Sequence, residues 1–113
     1  MKVFKHIEKG HLNSNNTLFG GELMKWMDEL AHKSALEFSC TNSVTVKVKE
    51  LCFLCPVFEG NNIMIESILK HSRGCQMEFE IYSYIIGDSI IKNAESTFIM
   101  AATDKNGKPV RIR

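Results

Sequence analysis

The sequence predicts an α+β domain in which one long helix is wrapped by an antiparallel sheet. Three observations lead there. Only one stretch, beginning at Thr17, repeats its apolar residues at steps of three and four, the spacing of an amphipathic helix. The stretches after it alternate apolar and polar residues with a period of two, as half-buried strands do. Short turn signals separate those strands, which suits antiparallel neighbours, and one sheet covered by one helix is the natural two-layer arrangement. At 113 residues the chain is about one domain in size, so residues 1–113 are read as a single domain.

Val3 to Ile7 alternates weakly and reads as a short edge strand; Glu8 to Asn16 is polar and reads as a loop. The helical stripe comprises Leu18, Phe19, Leu23, Met24, Met27, Leu30, Ala31, Ala35 and Phe38, about five turns, with Asn16 or Thr17 as its cap. Gly20 and Gly21 fall in its first turn. Two poor helix formers there imply that something approaches the backbone closely. Ser39 to Ser43 ends the helix. Val44, Val46 and Val48 then alternate with polar residues, and Leu51, Phe53 and Cys55 resume in the other phase. That slip predicts a β-bulge near Lys49–Glu50 that turns both apolar sets to one core. Gly60–Asn62 is a turn, Ile63 to about His71 a strand, and Ser72–Gly74 another turn. Cys75 to Ile86 alternates with Met77, Phe79 and Ile81 on one face. Gly87–Asp88 is a tight hairpin turn, Ser89 to Ala102 the last strand, and Asp104–Pro109 a terminal turn.

Composition excludes several classes. Hydrophobic residues are 44% and charged residues 24%, an ordinary globular mixture. Lys and Arg number 14 against 13 Asp and Glu, a net charge of +1, so neither nucleic acid nor an anionic membrane is a natural partner. No apolar run is long enough to span a bilayer, and the first ten residues are too charged for a signal peptide, which predicts a cytoplasmic protein. Cys52 and Cys55 have the spacing of a metal knuckle without the rest of that pattern. With Cys40 and Cys75 they read as reduced, free thiols. The four histidines are scattered and suggest no metal site.

One constellation carries chemistry: Asn13, Gly20, Gly21 and Asp28. Two glycines at a helix start expose N–H groups at the positive end of the helix dipole, where a carbonyl oxygen becoming an oxyanion can be held. Asp28 lies two turns further on, at the border of the apolar stripe. A partly desolvated carboxylate there suits a general base; the same spacing also fits a half-exposed surface acid.

The segment from Asn13 to Glu29, NSNNTLFGGELMKWMDE, resembles the signature of hotdog-fold acyl-CoA thioesterases. It is most similar to the short bacterial acyl-CoA thioester hydrolases related to the brain-type cytosolic enzyme. Asn13, Phe19, Gly20, Gly21, Met27, Asp28 and Glu29 match its pattern, as do Val44–Val46, Phe53–Leu54, Pro56–Val57, Gly60, Arg73–Gly74 and Gly107–Pro109. Three positions depart from it. Asn16 replaces a glycine, which the loop tolerates because Asn is the next-best residue at positive φ. Lys49 stands where the family has an acid, and Cys55 where it has a basic residue.

The resemblance implies a hotdog fold, a curved antiparallel sheet wrapped on a long helix, and hydrolysis of acyl-CoA to free acid and CoA without metal or cofactor. It implies Asp28 as general base, Gly20 and Gly21 as the oxyanion hole, and Asn13 reaching the site from a partner protomer. Arg73, Gly74 and Lys108 become candidates for holding CoA phosphates, although solvated turn charges would look the same. It also implies a homodimer assembling into a trimer of dimers, which suits a chain too short to enclose so large a ligand. Two alternatives remain: a non-hydrolytic acyl-CoA-binding regulatory module, and a hotdog hydratase or dehydratase, for which His32 is the one candidate histidine.

Overall fold

The computed structural model describes residues 1–112. Its elements are β1 (Lys2–His6), a 3₁₀ turn (Lys9–His11), α1 (Gly20–Ser39), β2 (Asn42–Phe53), β3 (Asn62–Arg73), β4 (Gln76–Ile86) and β5 (Ile90–Thr103). All five strands pair antiparallel in one curved sheet ordered β1-β3-β4-β5-β2, with α1 packed across it. This is the hotdog fold. β3, β4 and β5 follow one another through tight turns. β2 instead lies on the far side of β5, so it forms one edge of the sheet and β1 the other. No helix among the described residues is long and apolar enough to cross a membrane.

α1 buries Leu23, Trp26, Met27, Leu30, Ala31 and Ala35 against Ile63, Ile65, Met77, Phe79, Ile81, Phe98 and Met100 of the sheet. The buried stripe is rotated from the one the spacing predicts. Trp26 lies inside it, while Phe19, Met24 and Phe38 are exposed. Trp26 is held from outside the helix: the His11 ring meets it edge-on at 5.0 Å, and the Lys5 ammonium lies 5.4 Å from its ring centre. Asp28, two residues further on, lies on the opposite flank of the helix, toward β2.

The helix starts at Gly20, and neither Asn16 nor Thr17 caps it. The side chain of Asn13 engages the amide and hydroxyl of Thr17, and the Leu18 amide donates to the Val57 carbonyl at 2.7 Å. These bonds keep the chain extended up to Phe19, which occupies the N-cap with no side-chain hydrogen bond. At the other end Cys40 turns into the left-handed region (φ 60°) and its amide donates to the Leu36 carbonyl.

β2 carries the bulge expected at Lys49–Glu50, with Glu50 at φ 56° and a register shift between Lys49 and Cys52. A second shift lies between Thr45 and Lys47. Val48 and Leu51 pack on the core. Val44 and Val46 do not: they are exposed, because Thr45 between them is the residue that faces the helix. The expectation that both apolar sets of β2 face inward is therefore corrected: it holds for Val48 and Leu51, whereas Val44, Val46 and Phe53 are exposed.

Candidate active site

The loop before α1 is built on Asn13. Its side-chain carbonyl accepts from the Asn15 amide (2.9 Å), the Thr17 amide (3.2 Å) and the Thr17 hydroxyl (3.3 Å). Its amide nitrogen donates one hydrogen to Thr17 Oγ1 at 3.1 Å and keeps the second uncommitted among the described residues. Asn16 adopts φ 62°, so the loop keeps the left-handed turn despite lacking the glycine. The loop delivers the chain to Gly20 and Gly21, whose N–H groups open the helix and have no backbone acceptor among the described residues.

Aromatic rings stand close against both glycines. A Cβ on Gly20 would stand 3.3 Å from the Phe53 ring, and one on Gly21 would stand 3.0 Å from the Phe19 ring. Within one chain these two half-exposed rings make the close approach that the glycines predict. Beside them opens a cavity of about 380 Å³ whose walls include Gly20, Leu23, Phe53, Cys55, Pro56 and Val57. Cys55, where the resemblance leads one to expect a basic residue, thus lines the space next to the helix start.

Asp28 stands on the flank of α1 that faces β2, its side chain 44% exposed. The Thr45 hydroxyl donates to Asp28 Oδ1 at 2.6 Å, which fixes one carboxylate oxygen. The other, Oδ2, lies 3.7 Å from His32 Nε2, beyond hydrogen-bond length, and stays available to water. Thr45 was noted from sequence only within the matching Val44–Val46 segment, and His32 only as the candidate of the hydratase reading. His32 is one helical turn from Asp28, and its Nε2 is 3.1 Å from Thr45 Oγ1. Two signals were present, a hydroxyl between two valines on β2 and the i, i+4 spacing of Asp28 and His32 on one helix face.

Arg73, Gly74 and Lys108 lie elsewhere. Gly74 (φ 62°) makes the turn between β3 and β4, and its carbonyl accepts from the Ile112 amide at 2.9 Å. Lys108 belongs to the turn closed by Asp104, whose carboxylate accepts the Asn106 and Lys108 amides. That turn borders Ser39, Cys40 and Thr41 at the C-terminal end of α1, opposite Gly20. A helix of 20 residues spans about 30 Å. A single chain therefore does not bring the Lys108 turn to the helix start. Of the sequence-predicted residues, Asn13, Gly20 and Gly21 stand at the start of α1, Asp28 near its middle, and the Lys108 turn at its far end.

Comparison with known proteins gives this arrangement its family. The model of the thioesterase superfamily matches residues 15–84. The chain belongs to the thioesterase superfamily. This thioesterase-superfamily chain is 30% identical over 105 residues to the uncharacterized acyl-CoA thioester hydrolase YkhA of Bacillus subtilis, matching 88% of this chain and 60% of that protein. It therefore spans well under two-thirds of that relative's length. It is also similar to the hexameric thioesterase of Yersinia pestis, with a TM-score of 0.94 at 25% identity, covering 98% of this chain and 93% of that one. A third similar structure is an acyl-CoA hydrolase of Staphylococcus aureus bound to butyryl-CoA and CoA (TM-score 0.94, 23% identity, 99% of this chain and 70% of that one). The Staphylococcus enzyme has further structures in which an asparagine, an aspartate fifteen positions on, or a threonine seventeen beyond that is replaced by alanine.

The contact between Thr45 and Asp28 is testable by a double-mutant cycle in urea at fixed protein concentration. Thr45→Val should cost about 0.5–2 kcal/mol, the worth of a half-exposed hydrogen bond to a charged group. Paired with Asp28→Ala it should cost less than the sum of the two singles by about 1 kcal/mol. Strict additivity would show that the contact is not formed in solution.

Proposed function

We propose that this chain hydrolyses acyl-CoA thioesters to the free acid and CoA. The observation that carries this reading is the anchored carboxylate of Asp28, one oxygen fixed by Thr45 and the other open, on the same helix whose uncapped first turn is Gly20–Gly21. The residue types and spacing of Asn13, Asp28 and Thr45 are also those of the three residues replaced in the Staphylococcus acyl-CoA hydrolase, which supports this site.

In this reading a water on Asp28 Oδ2 attacks the thioester carbonyl carbon while Asp28 takes its proton. The carbonyl oxygen gains negative charge and is held by the Gly20 and Gly21 N–H groups at the positive end of α1. The intermediate collapses with cleavage of the C–S bond. The departing sulfur takes the proton back from Asp28, leaving acid, CoA and the carboxylate as it began. Water and the chain's own groups supply every proton, so the step calls on no metal or cofactor. The free N–H of Asn13, from a partner protomer, orients the water or the carbonyl. Arg73, Gly74 and Lys108 of a neighbouring copy hold the CoA phosphates, since their own chain places them at the far end of α1.

The assembly follows from β2. Its outer edge carries unpaired backbone groups, and Val44 and Val46 are exposed on it. Pairing two such edges about a two-fold axis joins the sheets of two protomers and sets opposite ends of their helices side by side. We read the protein as a cytoplasmic homo-oligomer of residues 1–113, each copy one hotdog unit, in a dimer or a trimer of dimers. The contact of His32 with Asp28 is the one observation that favours the hydratase reading, and substrate consumption separates the two.

A thiol-release assay across acyl-CoAs from acetyl to palmitoyl should show CoA release, with no hydration of enoyl-CoA. Saturable acyl-CoA binding without turnover would instead establish a binding module. Light scattering at micromolar concentration should find no folded, active monomer; an active monomer would refute the shared site.

A further inference from the structure

Asp28, Thr45, His32 and Ser43 form a continuous chain of polar contacts running from the proposed base to the mouth of a groove between α1 and β2. Only the first pair is needed by the mechanism above. The hydrogen count in this chain is determinate. A threonine hydroxyl has one hydrogen, and Thr45 gives it to Asp28 Oδ1. Thr45 Oγ1 can then only accept from His32, so the hydrogen of a neutral His32 ring sits on Nε2. Nδ1 is left as an acceptor, and it faces the Ser43 hydroxyl at 3.5 Å.

We infer that His32 is a positioning residue: its Nε2–H locks the rotor of the Thr45 hydroxyl toward Asp28 and so holds the carboxylate with its second oxygen open to water. The inference rests on Asp28 being the base. Without His32 the Thr45 hydroxyl is free to turn, and a hydrogen bond between half-exposed partners is readily exchanged for one to water.

The test compares the unchanged protein with His32→Gln and His32→Leu. Gln keeps an N–H donor; Leu has none. With His32→Leu, kcat at pH 8 should fall about 3- to 30-fold while KM moves less than about twofold. His32→Gln, which restores a side-chain N–H donor, should keep kcat within about threefold at pH 8. A kcat for His32→Leu within twofold of the original, or a loss in His32→Gln as large as that in His32→Leu, would overturn the role. Nitrogen-15 NMR of the His32 ring at pH 8 stands apart from turnover. It should report the Nε2–H tautomer, and the Nδ1–H tautomer would overturn the inference even in an active enzyme. An absence of CoA release from the unchanged protein would instead overturn the thioesterase reading, and the base role of Asp28 with it.

Discussion

The rotation of α1 about its own axis is the constraint on which the rest of the molecule depends. Among the described residues it is the only α-helix, and it covers the inner face of the sheet. Leu23, Trp26, Met27 and Leu30 are each almost fully buried, and each such side chain contributes about 1.5–3 kcal/mol by leaving water. Turning the helix by one residue, 100°, would lift part of this set into solvent and press Lys25 or Glu29 toward the core. No single hydrogen bond at the surface competes with that. The position of Asp28 is therefore a consequence of packing. Once Trp26 and Met27 are inside, Asp28 faces β2 and meets Thr45.

The second constraint comes from the strand it meets. β2 must present Thr45 to the helix near its start and Val48 and Leu51 to the core further on, and a regular strand cannot do both from this sequence. Two breaks in register resolve the conflict. They leave β2 twisted at the edge of the sheet with Val44 and Val46 facing outward. The same chain separates its glycine-rich helix start from its basic turns by the length of α1. The proposed site would draw on both ends, and so on two copies related by a two-fold axis at the open β2 edge.

Much of this was legible in the residues. The period change at Thr17, the alternation after Ser43 and the phase slip at Lys49–Glu50 follow from local spacing, which is why the helix, the strands and one bulge were placed. Gly20, Gly21 and Asp28 were legible because each is a poor choice for a helix unless the backbone or the border position is used. The rest depends on contacts between distant residues. Trp26 becomes a core residue only because His11 and Lys5 close over it, and Thr17 fails as a cap because Asn13 and the Val57 segment hold it extended. Likewise Thr45 is an ordinary strand threonine until β2 is seen to cross beside Asp28, and His32 looks solvent-facing on a helical projection that lacks β2. Periodicity describes an element alone and is silent about what flanks it.

The most direct test of the account is Asp28→Asn, which keeps the shape of the side chain and an acceptor for the Thr45 hydroxyl but cannot take a proton from water. Thiol release should fall about 10²- to 10⁴-fold, the usual worth of a positioned general base. Binding of a non-hydrolysable acyl-CoA analogue should change little, because the groups proposed to hold CoA lie elsewhere. Retention of more than about half the activity would contradict the role of Asp28 and the mechanism built on it.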